Sequence, residues 1–320
     1  MDKKKYIINT GIGLQDVDHL KNSKYFISKS NRYINGEISL NELENIIFSY
    51  YVNKPNDGDR TEEADKIAIR IARIISEDSF TFTVGQLLAI HKELFIDVLN
   101  HAGKIRTYNF SKKEWVLDND SVIYGDYRDL EMTLAYDFEQ EKKFKYQGLS
   151  MDEIIEHLAI FIANLWQIHV FEEGNTRTTA VFFIKYLRSL GFNVTNDSFA
   201  KNAWYFRNAL VRANYNNVVK GVYEDYSFLI KFLRNLLLGE HNELLNRALH
   251  VSNIQAKQIV SKESCIIELI KLNPKITTEE LSKNLGVSVR TIKNVLKSLV
   301  IANKITRKNG KRFGYWVVVE

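Results

Sequence analysis

Apolar residues recur at three- and four-residue spacing along much of the 320-residue chain, the pattern of helices with one buried face. LNELENIIFSYYV (40–52), RTEEADKIAIRIARIISE (60–77) and TVGQLLAIHKELFIDVL (83–99) each show it. The second opens with acidic residues and ends in an isoleucine stripe, which suits the helix dipole. SMDEIIEHLAIFIANLWQIHVF (150–171) starts at Ser150 with Glu153 three residues on, a capping-box pattern. TRTTAVFFIKYLRSLGF (176–192) follows, with Gly191 as its stop. AKNAWYFRNALVRANYNN (200–217) and YEDYSFLIKFLRNLLLGE (223–240) complete a mainly α set.

Two stretches break this period. NKPNDGDR (53–60) reads as a loop. EWVLDNDSVIY (114–124) reads as a hairpin, two short apolar strands around Asp118-Asn119-Asp120-Ser121. The last 60 residues have their own order. ESCIIELIKLNP (263–274) reads as a short helix stopped by Pro274, and TTEELSKNLG (277–286) as a helix with Thr278 as N-cap and Gly286 as stop. VSVRTIKNVLKSLV (287–300) begins at Ser288 and lines up Val289, Ile292, Val295, Leu296 and Leu299 on one face. NKITRKNGKRFGYWVVV (303–319) alternates around Asn309-Gly310, a hairpin turn. No internal repeat or low-complexity tract interrupts the chain.

Charge separates the same segments. Residues 261–320 hold 12 Lys and Arg against 5 Asp and Glu, about +7, whereas the preceding 260 residues carry about −2. A basic excess confined to one segment points to nucleic acid. One cysteine, Cys265, forms no internal disulfide, which fits a reducing compartment. The basic N-terminus lacks an apolar leader core, and no run of about 18 apolar residues exists to span a membrane. The expectation is a cytoplasmic protein with no membrane association.

HVFEEGNTRT (169–178) joins two strongly apolar helices with polar residues. Gly174-Asn175-Thr176 falls where the second helix begins, and helix N-termini present free N–H groups to anions. Gly174 lets the backbone turn or approach a ligand. Arg177, on the first turn, adds a cation whose fork suits phosphate oxygens. Glu173 beside such a hole needs a cation between, and a phosphate-bound Mg²⁺ is the natural bridge. His169, neutral near pH 7, could take a proton from a hydroxyl. Each residue alone has a commonplace structural role; the joint spacing between two apolar helices is far more specific.

That spacing, with His169, Phe171, Glu173, Gly174, Asn175 and Arg177 in order, resembles the Fic family signature H-x-F-x-(D/E)-G-N-(G/K)-R-x-x-R. AGKIRTYNF (102–110), the 114–124 hairpin and WYFRNALVRANY (204–215) also look like parts of longer Fic proteins, so the resemblance covers roughly residues 30–250. It implies a Fic-type helical bundle with a β-hairpin flap. It also implies a protein adenylyltransferase, a nucleotidyltransferase that moves AMP from ATP to a Ser, Thr or Tyr hydroxyl. By that resemblance His169 is the general base and Glu173 holds Mg²⁺. Gly174, Asn175, Thr176 and Arg177 cradle the phosphates, Phe171 anchors the core, and the protein target docks at flap 114–124. A homodimer is compatible with this reading.

Two positions depart from the signature. Thr176 stands where Gly or Lys is usual, and Ala180 stands where the final Arg would be. The second leaves a Doc-like phosphotransferase as an alternative on the same fold, and a non-enzymatic, ligand-sensing DNA-binding regulator as a third. The family's inhibitory pattern, (S/T)-x-x-x-E-(G/N), is not found. Its nearest fragment is Thr61-Glu62-Glu63-Ala64-Asp65, more simply an acidic helix start. Tyr205, Asn208 and Tyr215 are weaker adenine-site candidates.

The order of the last 60 residues resembles a small α+β winged helix-turn-helix domain, with 288–300 as recognition helix and 307–312 as wing. The resemblance would turn Arg290, Thr291, Lys293, Asn294 and Lys297 toward DNA. The expected layout is therefore an N-terminal helical region (1–105), a Fic core (106–250) with its flap at 114–124 and its motif at 169–177, and a winged-helix domain (251–320) that binds DNA through residues 261–320.

Overall fold

Ser39, Ser150 and Thr277 start three helices in the same way. Each hydroxyl accepts from the backbone N–H three residues on, while Glu42, Glu153 and Glu280 reach back to the cap's own N–H. Two of the four orphan donors at each helix start are thereby satisfied reciprocally. In the last of these, Thr277 and not the expected Thr278 is the cap, because Glu280 lies three residues beyond it.

The computed structural model describes residues 2–54, 58–217, 221–308 and 314–319, with the backbone alone over 254–261. The helices run α1 (Lys3–Gly13), α2 (Lys24–Ile34), α3 (Leu40–Val52), α4 (Thr61–Ser76), α5 (Val84–Phe95), α6 (Leu130–Lys143) and α7 (Met151–Ile168). They continue with α8 (Asn175–Ser189), α9 (Ser198–Ala213), α10 (Ser227–Leu238), α11 (Asn246–Leu249), α12 (Val251–Leu272), α13 (Thr278–Leu285) and α14 (Val289–Ile301). Strands β1 (Ile305–Lys308) and β2 (Tyr315–Val318) pair antiparallel with Ile305 opposite Val318. The chain forms two compact units, Met1–Asn217 with Tyr223–His250, and Val218–Val222 with Val251–Glu320.

In the first unit α8 is the central helix, and every residue from Asn175 to Leu187 is buried. Helices α4, α5 and α7 and the turn at Leu14–Asp18 surround it, and α1 packs on α4 and α9. The glycines of α1 explain that last contact. A Cβ on Gly11 would stand 2.3 Å from the carbonyl oxygen of Ala68, and one on Gly13 2.3 Å from that of Ala200. Asp65 of α4, fully buried, accepts from Asn22, from the N–H and hydroxyl of Ser23, and from Tyr51. It therefore pins the start of α2 and the end of α3 to α4.

The expected hairpin at 114–124 is not two paired strands. A single bridge joins Glu114 to Asp120 around one 3₁₀ turn, Trp115–Leu117, with Asp118 and Asn119 left-handed. Val116 and Leu117 are both fully buried. Consecutive buried residues cannot share one face of a strand, whose side chains alternate.

In the second unit Ile266, Ile270, Ile276, Leu281, Ile292, Leu296, Leu299 and Trp316 form one core. Ser288 caps α14 and Gly286, left-handed, ends α13, as the sequence predicts. Asn309-Gly310 and most of the expected wing lie outside the described residues.

Gly13→Ala is expected to destabilise the chain by about 1–3 kcal/mol, the usual cost of forcing an atom into a packed contact. Gly85→Ala in α5, where a new Cβ meets only the Thr83 hydroxyl at 3.9 Å, should instead stabilise by about 0.5–1 kcal/mol. Urea unfolding of both variants beside the parent chain measures the contrast.

Candidate active site

Helix α7 ends at His169, a non-glycine residue held left-handed at φ 52°, ψ 56°. Arg106 holds it there. Its Nε donates to the His169 carbonyl at 2.7 Å, and its two terminal nitrogens reach the carbonyls of Tyr108, Gly125 and Ile168. The Arg106 N–H also donates to the Val170 carbonyl. A buried guanidinium thus gathers the carbonyls at the end of α7 and ties them to the segment entering the flap region.

The His169 ring is 3% exposed. Tyr124 stacks on it at 3.8 Å, while Trp166 and Phe110 meet it edge-on. Neither ring nitrogen has a hydrogen-bond partner. Burial first, then the nearby charges of Lys112, Arg207 and Arg106, lower its pKa well below the ordinary histidine value. The imidazole is neutral at pH 7; the Trp166 backbone pulls its pKa up more weakly, but no well-formed hydrogen bond reaches either ring nitrogen, and buried polar atoms are rarely left so.

The loop after His169 is closed by its own residues. The Asn175 side chain accepts from the Phe171 N–H and donates to the Phe171 carbonyl. Gly174 is left-handed at φ 75°, and a Cβ there would stand 2.4 Å from the Phe95 ring. His91 takes the Gly103 N–H on Nδ1, so the proton on Nε2 is the one donated to the Glu173 carbonyl, at 3.1 Å. The same ring stacks on Phe171 at 3.7 Å. Thr176 accepts from the indole N–H of Trp166 at 2.9 Å, which accounts for a hydroxyl residue at that position.

The expected site residues are therefore brought together, with two differences of role. Asn175 serves the loop with its side chain and offers only its backbone N–H to an anion. Arg177 is engaged by the fold. Its fully buried guanidinium stands 2.9 Å from Glu63 and 3.0 Å from Asp18, and lies over the Phe95 ring. Its position along α8 turns it toward α4 and the turn at Leu14–Asp18, where two carboxylates neutralise it. Ala180 is wholly buried. Among the adenine candidates, Tyr205 and Asn208 bond to Phe228 and Asn246. Tyr215 lines a cavity of about 430 Å³ with Asp120, Ile123, Asn164 and Gln167, beside the flap segment.

Glu63, Asp18, Arg106, Tyr124, Lys112 and Glu114 were not singled out from the sequence. Glu63 sits two residues before the acidic residue weighed in the same fragment, so its helix phase was the available signal. Glu114, buried, pairs with both terminal nitrogens of Arg207.

Of the two loop carboxylates, Glu172 lies 3.4 Å from His101, and Glu173 is held more loosely. Among the described residues its oxygens meet only Arg60 at 3.7 Å and Lys112 at 3.9 Å, and its side chain is 32% exposed. Such a carboxylate fits a Mg²⁺ ion whose other ligands are phosphate oxygens and water. No cluster of three or more His, Cys, Asp or Glu among the described residues could hold a metal unaided.

Residues 81–187 match the Fic/DOC family model, and residues 262–315 match that of an HTH domain. Residues 81–187 thus carry a Fic/DOC family domain, which holds His169, Glu173 and the start of α8, and a helix-turn-helix domain follows it. The protein adenylyltransferase VbhT of Bartonella schoenbuchensis is 27% identical over 117 residues, which are 36% of this chain and 23% of that protein. The match thus spans about a quarter of that relative's length. A Fic family protein from Desulfovibrio desulfuricans G20 aligns over 99% of this chain and 87% of its own, with TM-score 0.43 and 14% identity. The N-terminal FIC domain of Bep8 from Bartonella sp. 1-1C aligns over 55% and 82%, with TM-score 0.42 and 20% identity.

In α14, Arg290, Lys293, Asn294 and Lys297 are exposed, while Thr291 is half-buried with its hydroxyl 2.9 Å from that of the cap Ser288. Among the described residues no helix is long and apolar enough to cross a membrane.

The buried histidines give a pH dependence of stability. His91 is pushed down to about 4 chiefly by burial. Unfolded, it takes up a proton near pH 6.5; folded, only near 4. Acidification across that window therefore favours unfolding, by on the order of 3 kcal/mol at its lower end. His169 acts in the same direction. Urea unfolding between pH 7 and pH 5 should show stability falling with pH, and His91→Gln should flatten the slope.

Proposed function

We propose that this chain is a protein adenylyltransferase that moves AMP from ATP to a hydroxyl of a protein side chain. The observation that carries the reading is His169: neutral at pH 7, without a partner on either ring nitrogen, and beside the N-terminus of α8. Fic/DOC membership and the adenylyltransferase activity of the VbhT relative support it.

The backbone N–H groups at the start of α8, after Gly174, receive the nucleotide phosphates. Glu173 would hold Mg²⁺, which when bound neutralises phosphate charge. A target hydroxyl then attacks the α-phosphorus and gives its proton to a His169 ring nitrogen. The new oxygen–phosphorus bond forms as the bond to the bridging oxygen of the β-phosphate breaks, and pyrophosphate leaves. Because the ring is covered, Tyr124 must move off it before the hydroxyl arrives. The flap segment that carries Tyr124 is the natural place for an extended target to dock, as part of the same displacement.

Ala180 favours a second reading, phosphotransfer on the same scaffold, because the site lacks a fixed arginine to set the direction of the triphosphate. The reaction product separates them. Incubation of candidate target proteins with ATP and Mg²⁺, read by intact mass, should show the gain of an AMP group. The gain of a phosphate would establish the second reading. No gain with any nucleoside triphosphate would favour a ligand-sensing regulator without catalysis.

His169→Ala should lower the transfer rate by roughly 10²–10⁴, the contribution of a positioned general base. Nucleotide affinity, measured by calorimetry, should stay near that of the parent chain. Full transfer activity in the variant would remove the base assignment.

We further propose that the helix-turn-helix domain binds duplex DNA through α14. The local charge of about +7 and the exposed cations of α14 support this. Lys293→Glu with Lys297→Glu in the full chain should weaken binding to all sequences and reduce its salt dependence. Arg290→Ala should relax discrimination between sequences if its guanidinium reads a base edge. Fluorescence anisotropy at several salt concentrations measures all three, and salt-insensitive or absent binding by the parent chain would rule out the DNA role.

A further inference from the structure

Asp18, Glu63 and Glu173 face Arg60, Lys112 and Arg177 around the loop at 173–177, three acids against three cations. An incoming polyphosphate brings several more negative charges, and Ala180 offers none of the compensation that an arginine would. One of the existing cations must change partner, and the structure distinguishes them by how firmly each is held. Arg177 is fully buried between two carboxylates. Arg60 is bidentate on Glu63, with Nε and a terminal nitrogen each at 2.8 Å.

Lys112 is different. Its nearest anionic contact among the described residues is Glu173 at 3.9 Å, too long for a hydrogen bond, and its Nζ lies 5.8 Å from the centre of the Phe110 ring. Its side chain is 30% exposed. The backbone beneath it is fixed on both sides. Phe110, two residues earlier, meets the His169 ring, and Glu114, two residues later, is buried in its pair with Arg207. Lys112 therefore combines a well-placed main chain with a loosely held ammonium that stands beside Glu173 and whose charge is felt at the His169 ring.

We propose that Lys112 binds the terminal phosphate of the nucleotide and supplies the cation that position 180 lacks. The inference rests on the polyphosphate reading of this site. In the free chain Lys112 stands near Glu173; with nucleotide bound, its ammonium turns to the phosphate and leaves that carboxylate open to a cation. A lysine is suited to this because its charge sits on a flexible stem.

The test is calorimetry of the full chain with AMP and with ATP in the presence of Mg²⁺. Lys112→Gln, which keeps a stem against Phe110, should weaken ATP binding about tenfold or more, the loss of one charge-assisted contact. AMP affinity should be unchanged. Lys112→Arg should keep most of the ATP affinity, and this rescue separates charge from packing. ATP binding by Lys112→Gln equal to that of the parent chain would overturn the proposal. So would an equal loss for AMP and ATP, or a loss of ATP selectivity confined to Arg60→Ala. A parent chain that binds neither nucleotide would refute the polyphosphate reading itself, and the proposal with it.

Discussion

The left-handed turn at His169 is the constraint on which the site depends. A β-carbon residue in that conformation costs about 1–2 kcal/mol, and the surroundings must hold it. Arg106 does so through carbonyls at the end of α7 and in the flap segment. Five residues later Gly174 provides a second left-handed turn, tight against Phe95. Together the two turns reverse the chain between two buried helices in very little length. His169, Glu173 and the first turn of α8 are thereby confined to one short connection between the two helices. Loosening Arg106 would disturb all three, although Arg106 touches none of the groups assigned to the reaction.

Arg177 shows how the fold competes with chemistry for a single residue. Breaking a buried ion pair by removing one partner costs roughly 3–5 kcal/mol, whereas a charge-assisted contact to a ligand returns about 1.5–3 kcal/mol. Arg177 is better understood as a brace joining α8 to α4 and to the Leu14–Asp18 turn. A phosphate group bound here, as proposed, would depend on backbone N–H groups and on cations nearer the surface. Gly174 is needed at the loop's end because it is left-handed there and a Cβ would strike the Phe95 ring.

Local chemistry was legible in the sequence, and long-range convergence was not. The 40–52 helix has the predicted bounds, and Ser150 with Glu153 makes the expected box, because a cap needs only residues three apart. Helix α1 was missed because Gly11 and Gly13 resemble a loop until Ala68 and Ala200 are seen against them. Helix α6 was missed because its buried stripe is thin, with Leu130, Leu134 and Phe138 among many polar residues. At the site, the motif residues stand out by their spacing. Glu63, Asp18, Lys112 and Tyr124 come from distant segments and no spacing links them to His169. The ion pairs of Arg177 were not legible for a related reason: a first-turn residue can face the helix end or its flank, and only the neighbouring helices decide which.

Charge is divided between the two units in a way that separates their responses to solvent. The pairs that shape the site, Arg177 with Glu63 and Asp18, and Arg207 with Glu114, are buried or nearly so and are weakly screened. The cations of α14 stand in water, where a Debye length of about 8 Å at physiological ionic strength limits their reach. Apolar surface accompanies them: Lys293 and Lys297 border a cavity of about 320 Å³ with Leu296, Val300, Ile301 and Trp316. Added salt therefore weakens whatever the exposed cations hold while leaving the ion pairs around the site almost unchanged. If α14 holds a polyanion, as proposed, that hold and the arrangement around His169 are governed by separate electrostatics, so conditions that release one need not disturb the other.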